Sequence, residues 1–186
     1  MTNPDPATEP QLPDGTTVLV VDDEPNVRRA VRRLIEFGRT TVVEAADGER
    51  AIEIVARDEA HLLDAVLTDL VMPVVTGLEL IAVLQHCRPD LPLLAMSAWM
   101  DGLPGSLTVP FLHKPFSYED LVQTLAPLVL SGRASRQRAR QPREKAAESR
   151  PPADHQHGIA KQQPATAQEM LATLVRLRGE QGRQRR

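Results

Sequence analysis

Five polar residues of this sequence share one placement, each following the end of a short apolar run. Asp22 and Asp23 close TVLVVDDEP, Asp69 closes AVLTDL, Ser97 closes LLAMSA and Lys114 closes FLHKPF. If those runs are parallel strands, their carboxyl ends line one edge of a sheet, the edge where open α/β sheets bind ligands. Three carboxylates, a hydroxyl and an ammonium then share one pocket. Crowded carboxylates raise one another's pKa unless a cation sits among them. A hard, oxygen-preferring ion such as Mg2+ suits such a donor set of carboxylates, a carbonyl, waters and phosphate oxygens. Phosphoryl transfer needs positioning and charge neutralisation rather than elaborate covalent chemistry. A carboxylate nucleophile, a metal, a lysine and a hydroxyl donor supply those needs, so the set points to phosphoryl transfer onto Asp69.

Taken singly, each residue has an ordinary explanation. An acidic residue after a strand is often a helix cap, a lone loop carboxylate is seldom a nucleophile, and Lys-Pro is a common dipeptide. The conjunction of five positions on four strand ends carries the reading. His61, His86 and His113 are isolated and are read as solvent or packing residues. Asp154, His155 and His157 sit together, but two histidines in a tail rarely make a specific metal site. Cys87 is read as a small apolar residue near a helix end. No GxGxxG or Walker-type loop is present, which argues against dinucleotide or ATP binding.

The elements that would position these residues can be read from the pattern. Thr17–Val21 is continuously apolar, as a strand buried on both faces should be. From Pro25 to Phe37, Val27, Ala30, Val31, Leu34 and Ile35 share one helical stripe, with arginines mostly on the other side. Thr41–Glu44 is a second strand, followed by a helix from Gly48 to Arg57 capped by Asp47. Ala65–Thr68 is a third strand ending at Asp69, and Thr76 with Glu79 has capping-box spacing for the next helix. Leu91–Ser97 and Val109–His113 are the fourth and fifth strands. Ser117 and Asp120 begin a last helix through Val129, with Pro127 distorting its final turn. Strands separated by helices imply right-handed crossovers and a doubly wound parallel sheet of the α/β class.

The 186 residues allow one full-sized domain with appendages. The net charge of -3 conceals an asymmetry: residues 1–130 hold 20 acidic and 9 basic residues, and residues 131–186 hold 5 and 13. Sixteen prolines against one tryptophan and one tyrosine suggest an unstructured portion. No apolar run approaches a membrane span, the N-terminus is unlike a secretory signal, and a single cysteine excludes an internal disulfide. A reducing cytoplasm is the expected location.

VLVVDDEP, LTDLVMPVVTG, an MSA-type strand end and HKPF together resemble the four signatures of bacterial response-regulator receiver domains. The likeness covers about residues 16–130, in matching order and spacing. It implies a flavodoxin-like five-stranded sheet of order 2-1-3-4-5, with Asp69 as the phosphoacceptor. Asp22, Asp23, Asp69 and the backbone carbonyl of Val71 would hold Mg2+. Ser97 would hydrogen-bond the phosphoryl group, Lys114 would pair with it, and Ser97 and Phe111 would form the switch. The resemblance also implies a cis Lys114–Pro115 bond. The expected chemistry is that of a phosphoacceptor rather than an enzyme, limited to self-phosphorylation from small donors and self-dephosphorylation.

The sequence departs from that pattern between Ser97 and Lys114. Only 16 residues lie there, and Gly102, Pro104 and Gly105 preclude a regular three-turn helix. A shortened or missing fourth helix is expected, as in a subset of receivers that includes some attached to hybrid histidine kinases. Val71 and Trp99 are apolar where many relatives are polar, which suggests that they shield an acyl phosphate from water.

Outside the receiver, residues 1–15 read as disordered and 131–165 as a disordered basic linker. Thr166 and Glu169 have capping-box spacing ahead of Met170, Leu171, Leu174, Val175 and Leu177, so 166–178 reads as a short amphipathic helix, with 179–186 a basic tail. A helix of that length is marginal alone and must dock or fray; docking is favoured. The leading expectation is a receiver-only response regulator. Its partners would be a sensor histidine kinase or histidine phosphotransfer protein and an unknown output protein. A second is a nucleic-acid-binding regulator whose receiver gates the basic tail, which permits weak, salt-sensitive contact. A third, a metal-dependent phosphatase of the haloacid-dehalogenase type, fits less well, because its nucleophile would follow the first strand.

Overall fold

The computed structural model describes residues 11–36, 39–58, 60–98, 107–148 and 165–184. In chain order these form β1 (Thr17–Val21), α1 (Pro25–Ile35), β2 (Thr41–Ala45), α2 (Gly48–Arg57), β3 (Ala65–Asp69), α3 (Gly77–Cys87), β4 (Leu93–Ser97), β5 (Phe111–His113), α4 (Tyr118–Glu148) and α5 (Ala167–Gln184). The strands make one sheet of order β2-β1-β3-β4-β5, parallel throughout. This is the doubly wound, flavodoxin-like arrangement expected.

Alternation along each strand feeds two cores. Leu19, Val21 and Val66 face a cluster with residues of α2 and α3, while Val18, Val20 and Leu67 face one with residues of α1 and α4. Both faces are covered, so continuous apolar strands are what this sheet requires. Two strands start later than the pattern suggested. β4 begins at Leu93 because Leu91 is in a turn, its N–H donating to the Arg88 carbonyl at 3.0 Å. β5 begins at Phe111 because Pro110 has no N–H for a ladder. The helix starts are capped as read: Asp47 accepts from the Arg50 N–H, and Thr76 and Glu79 close a reciprocal capping box. Among the described residues no helix lies between β4 and β5; residues 99–106, with Trp99, lie outside them.

Three further boundaries differ from the sequence expectation. Residues 11–15, read as part of a disordered segment, are tied down: Leu12 is buried, and the Gly15 N–H donates to the Arg39 carbonyl at 2.9 Å. Gly15 adopts a φ of 68°, a conformation natural to glycine. Helix α4 passes Pro127 and Val129 and runs to Glu148, so 131–148 is helical where a linker is expected from the sequence; 149–164 lie outside the described residues. The extension is anchored because Arg133 and Arg136 both reach the buried carboxylate of Asp64, at 2.7 and 2.8 Å. Gly132 makes room, since a Cβ there would lie 2.5 Å from Pro92 Cγ. Finally, α5 continues beyond Arg178 to Gln184, into the segment read as a basic tail.

The C-terminal helix docks. Met170 is fully buried and Leu174 nearly so, both in the core that α2 and α3 share. The Thr166–Glu169 box forms, with the Glu169 N–H donating to Thr166 Oγ1 at 3.3 Å and the Thr166 N–H to Glu169 Oε2 at 2.7 Å. Apolar burial thus supplies what a short isolated helix lacks. Among the described residues no helix is long and apolar enough to cross a membrane.

Candidate phosphoacceptor site

Strand register brings the polar residues together. Val21 pairs with Thr68, so Asp22 and Asp69 emerge side by side from adjacent strands. Asp69 pairs with Met96 and Ser97 with His113, which places Ser97 and Lys114 at the same sheet edge. The backbone locks this alignment, since the Lys114 N–H donates to the Ser97 carbonyl at 2.8 Å and the Leu70 N–H to the Met96 carbonyl at 3.1 Å.

At that edge Lys114 Nζ lies 2.6 Å from Asp22 Oδ2 and 3.2 Å from Asp69 Oδ2. Asp22 is completely buried; its Oδ1 accepts from the Glu24 N–H at 2.9 Å, and its backbone carbonyl accepts from Arg28 at 2.6 Å. Asp69 Oδ1 accepts from the Leu70 N–H at 2.8 Å. Asp23 is exposed, yet it offers a carboxylate oxygen within 4.8 Å of oxygens from Asp22 and Asp69. Burial pushes the Asp69 carboxyl above its ordinary pKa; Lys114 opposes that and Asp22 adds to it. A buried carboxylate flanked by another is the electrostatic situation that a bound cation relieves.

Ser97 is buried at the end of β4, and Phe111 is half-buried against the core. Val71 is largely exposed in the loop after β3. The Lys114–Pro115 bond is cis. The other residues singled out lie elsewhere. His61 and Asp90 flank the buried Arg88, and His86 meets Arg176 at 3.3 Å. His113 is exposed. Cys87 is half-buried with its Sγ 4.0 Å from Thr173 Oγ1. Asp154, His155 and His157 lie outside the described residues.

Two residues beside the site have no role assigned from the sequence. Gly77 sits so close to β3 that a Cβ there would lie 1.9 Å from the Asp69 carbonyl oxygen. Its signals are its place after the capping threonine and at the end of the LTDLVMPVVTG motif. Arg178, on α5, donates to the Val74 carbonyl in the loop that follows Asp69; one arginine at the end of an amphipathic helix carries no signal of its own.

The family model of the response regulator receiver domain matches residues 18–126. The response regulator MprA of Mycolicibacterium vanbaalenii is 35% identical over 118 residues, 60% of this chain and 49% of that protein. The sensor kinase CckA of Brucella abortus is 33% identical over 123 residues, 63% of this chain and 13% of that protein. The chain thus spans about half the length of the response regulators it matches. Among solved structures, the response regulator protein TrrA from Thermotoga maritima, in complex with Mg(2+)-BeF, superimposes with a TM-score of 0.55 at 24% identity. The match covers 61% of this chain and 98% of that one. A match over more than half the chain, on a five-stranded sheet with an aspartate cluster at its carboxyl edge, places this protein in the response regulator receiver domain family.

Proposed function

We propose that Asp69 accepts a phosphoryl group from a phosphohistidine of a sensor histidine kinase or histidine phosphotransfer protein, and that the resulting acyl phosphate controls protein–protein contacts. The observation that carries this reading is the lysine of the fifth strand's end, Lys114, held between the carboxylates of Asp22 and Asp69 at 2.6 and 3.2 Å. Such a contact network costs desolvation free energy, and structural support alone gives no reason to gather it at a ligand-binding edge.

The donor set suits Mg2+: three hard carboxylate oxygens converge, and among the described residues no thiol or imidazole joins them. Asp22, Asp23, Asp69 and the Val71 carbonyl would hold the ion, which would offset negative charge on the phosphoryl oxygens. The complex of the Thermotoga protein with Mg(2+)-BeF supports this assignment. Oδ1 of Asp69 accepts from the Leu70 N–H, and Oδ2, which faces Lys114 Nζ at 3.2 Å, would be the attacking atom. It forms the new bond to phosphorus as the bond from phosphorus to the imidazole nitrogen breaks, and that nitrogen keeps the electron pair. Lys114 follows the charge onto the phosphoryl group and Ser97 donates its hydroxyl. Ser97 and Phe111 then shift a two-state equilibrium of the surrounding loops. A groove of about 1020 Å³ opens beside Asp69, lined by Val27, Ala30, Leu34 and Phe116. Its apolar wall offers an approach for the donor.

Incubation with Mg2+ and acetyl phosphate tests the proposal. A covalent, base-labile adduct is expected on the wild type and absent from Asp69→Asn; an equal adduct on both, or none on either, would overturn it. The nucleic-acid reading gains nothing from Arg133 and Arg136, whose charges are engaged by Asp64.

A further inference from the structure

The loop from Leu70 to Thr76 must reverse the chain between the acceptor strand and α3 while presenting Val71 to the site. It does so through Val74 at a φ of 65°, a left-handed conformation that a β-branched residue strongly disfavours. Such a conformation persists only where the surroundings over-determine it.

Part of that support is local. The Gly77 N–H donates to the Leu70 carbonyl at 3.1 Å, and the Val75 N–H to the Pro73 carbonyl at 2.7 Å. The rest comes from the far end of the chain. The Arg178 guanidinium donates to the Val74 carbonyl, 104 residues away in sequence. The same group grips Glu79 with a two-pronged contact, Nε to Oε1 at 2.6 Å and Nη2 to Oε2 at 3.1 Å. Glu79 in turn accepts from the Thr76 N–H at 2.9 Å and the Thr76 hydroxyl at 3.0 Å. One arginine therefore ties together the strained carbonyl, the end of the loop and the first turn of α3. A planar fork is the shape that such a three-way junction needs, and a lysine could serve only part of it. The Arg178 contact drives the Glu79 carboxyl down to about 2, so the acid stays ionised across the neutral range.

Arg178 can do this only because α5 is docked. Met170 and Leu174, two and one helical turns earlier, are buried in the core beside α2 and α3. They fix the helix so that its arginine reaches the loop.

We propose that Arg178 is a positioning residue for the phosphoacceptor site. Docked through Met170 and Leu174, it holds the Leu70–Thr76 loop in the form that presents the Val71 carbonyl to the divalent ion. The C-terminal helix thereby becomes a part of the receiver's working structure. The inference rests on the phosphoacceptor reading for the ion's role, and its test separates the two.

The test uses the full chain. Mg2+ affinity is measured by titration calorimetry, adduct formation with acetyl phosphate by its concentration dependence, and loop order by amide exchange of residues 70–76. For Arg178→Ala the expected result is Mg2+ binding weakened roughly fivefold, the factor that one net hydrogen bond represents, with faster exchange in the loop. Arg178→Lys should recover part of both. Met170→Asp should reproduce the alanine effect with the arginine intact, because it undocks the helix. Val175→Ala, on the exposed side of α5, should leave both unchanged. Arg178→Ala that binds Mg2+ as tightly as the wild type, with unaltered exchange, would overturn the inference. Failure of the wild type to form an adduct, with Mg2+ binding still dependent on Arg178, would overturn the acyl-phosphate reading and leave the positioning role standing.

Discussion

Replacing Gly77 by alanine adds one methyl group where the start of α3 lies against the end of β3. The new Cβ would stand 1.9 Å from the Asp69 carbonyl oxygen and 2.8 Å from both the Asp69 carbonyl carbon and Leu70 Cα. An ordinary carbon–oxygen contact is about 3.3 Å, so backbone must move by more than about 1 Å. All three obstacles are main chain, which cannot rotate aside as a flexible side chain would. Overpacking of this kind costs about 3 kcal/mol, and the gain in helix propensity from glycine to alanine returns at most about 1 kcal/mol. A net loss of about 2 kcal/mol corresponds to roughly 6–8 °C in Tm for a domain of this size. The displaced segment carries the Leu70 N–H that holds Asp69 Oδ1 at 2.8 Å, so the carboxylate should also lose its alignment with Lys114. Thermal unfolding by circular dichroism and phosphorylation by acetyl phosphate read the two effects in one preparation. A Gly77→Ala protein that melts within a degree of the wild type and is phosphorylated at the same rate would refute the close approach and the argument built on it.

Further expectations concern charge. Asp64 accepts from Arg133, Arg136 and the Thr17 N–H while almost fully buried; Asp64→Asn should cost about 2–3 kcal/mol by urea unfolding, below the usual figure for a broken buried pair because Arg133 is partly exposed. Glu79 is depressed from 4.5 to about 2 in the folded state, so its contribution is complete above pH 4.5 and disappears as pH falls towards 2. Labelling of Cys87, whose Sγ lies 4.0 Å from Thr173 of α5, by an acid-tolerant dipyridyl disulfide should therefore accelerate over that interval; a flat rate would count against the Glu79–Arg178 latch. Asp69 has its pKa raised by burial, so its ionisation opposes folding increasingly as pH rises from the unfolded pKa, and fully above the folded one. Metal-free Asp69→Asn should melt at or slightly above the wild type, and Mg2+ at a hundred times its Kd should add about 2.7 kcal/mol to the wild type alone. Val71→Asn and Trp99→Glu should shorten the acyl phosphate lifetime in a dephosphorylation assay, and unchanged rates would remove the shielding role.

Local chemistry was legible because it repeats on the scale of a few residues. The strands announced themselves as apolar runs with polar endings, Thr76 with Glu79 and Thr166 with Glu169 as caps, and the order of Asp22, Asp69, Ser97 and Lys114 as successive strand ends. In a sheet of order β2-β1-β3-β4-β5 these strand ends are neighbours, an order that the family resemblance implies and chain order alone does not. Three features needed the folded molecule. The extension of α4 rests on Asp64, a residue far away in sequence that two arginines reach only in three dimensions. The demand for glycine at position 77 comes from a neighbouring strand rather than from its own backbone conformation. The role of Arg178 depends on a helix whose apolar stripe finds its partner only after α2 and α3 have packed. Periodicity can show that a helix has a face to bury; which surface receives it, and which loop then falls within reach of its arginine, is settled by long-range packing.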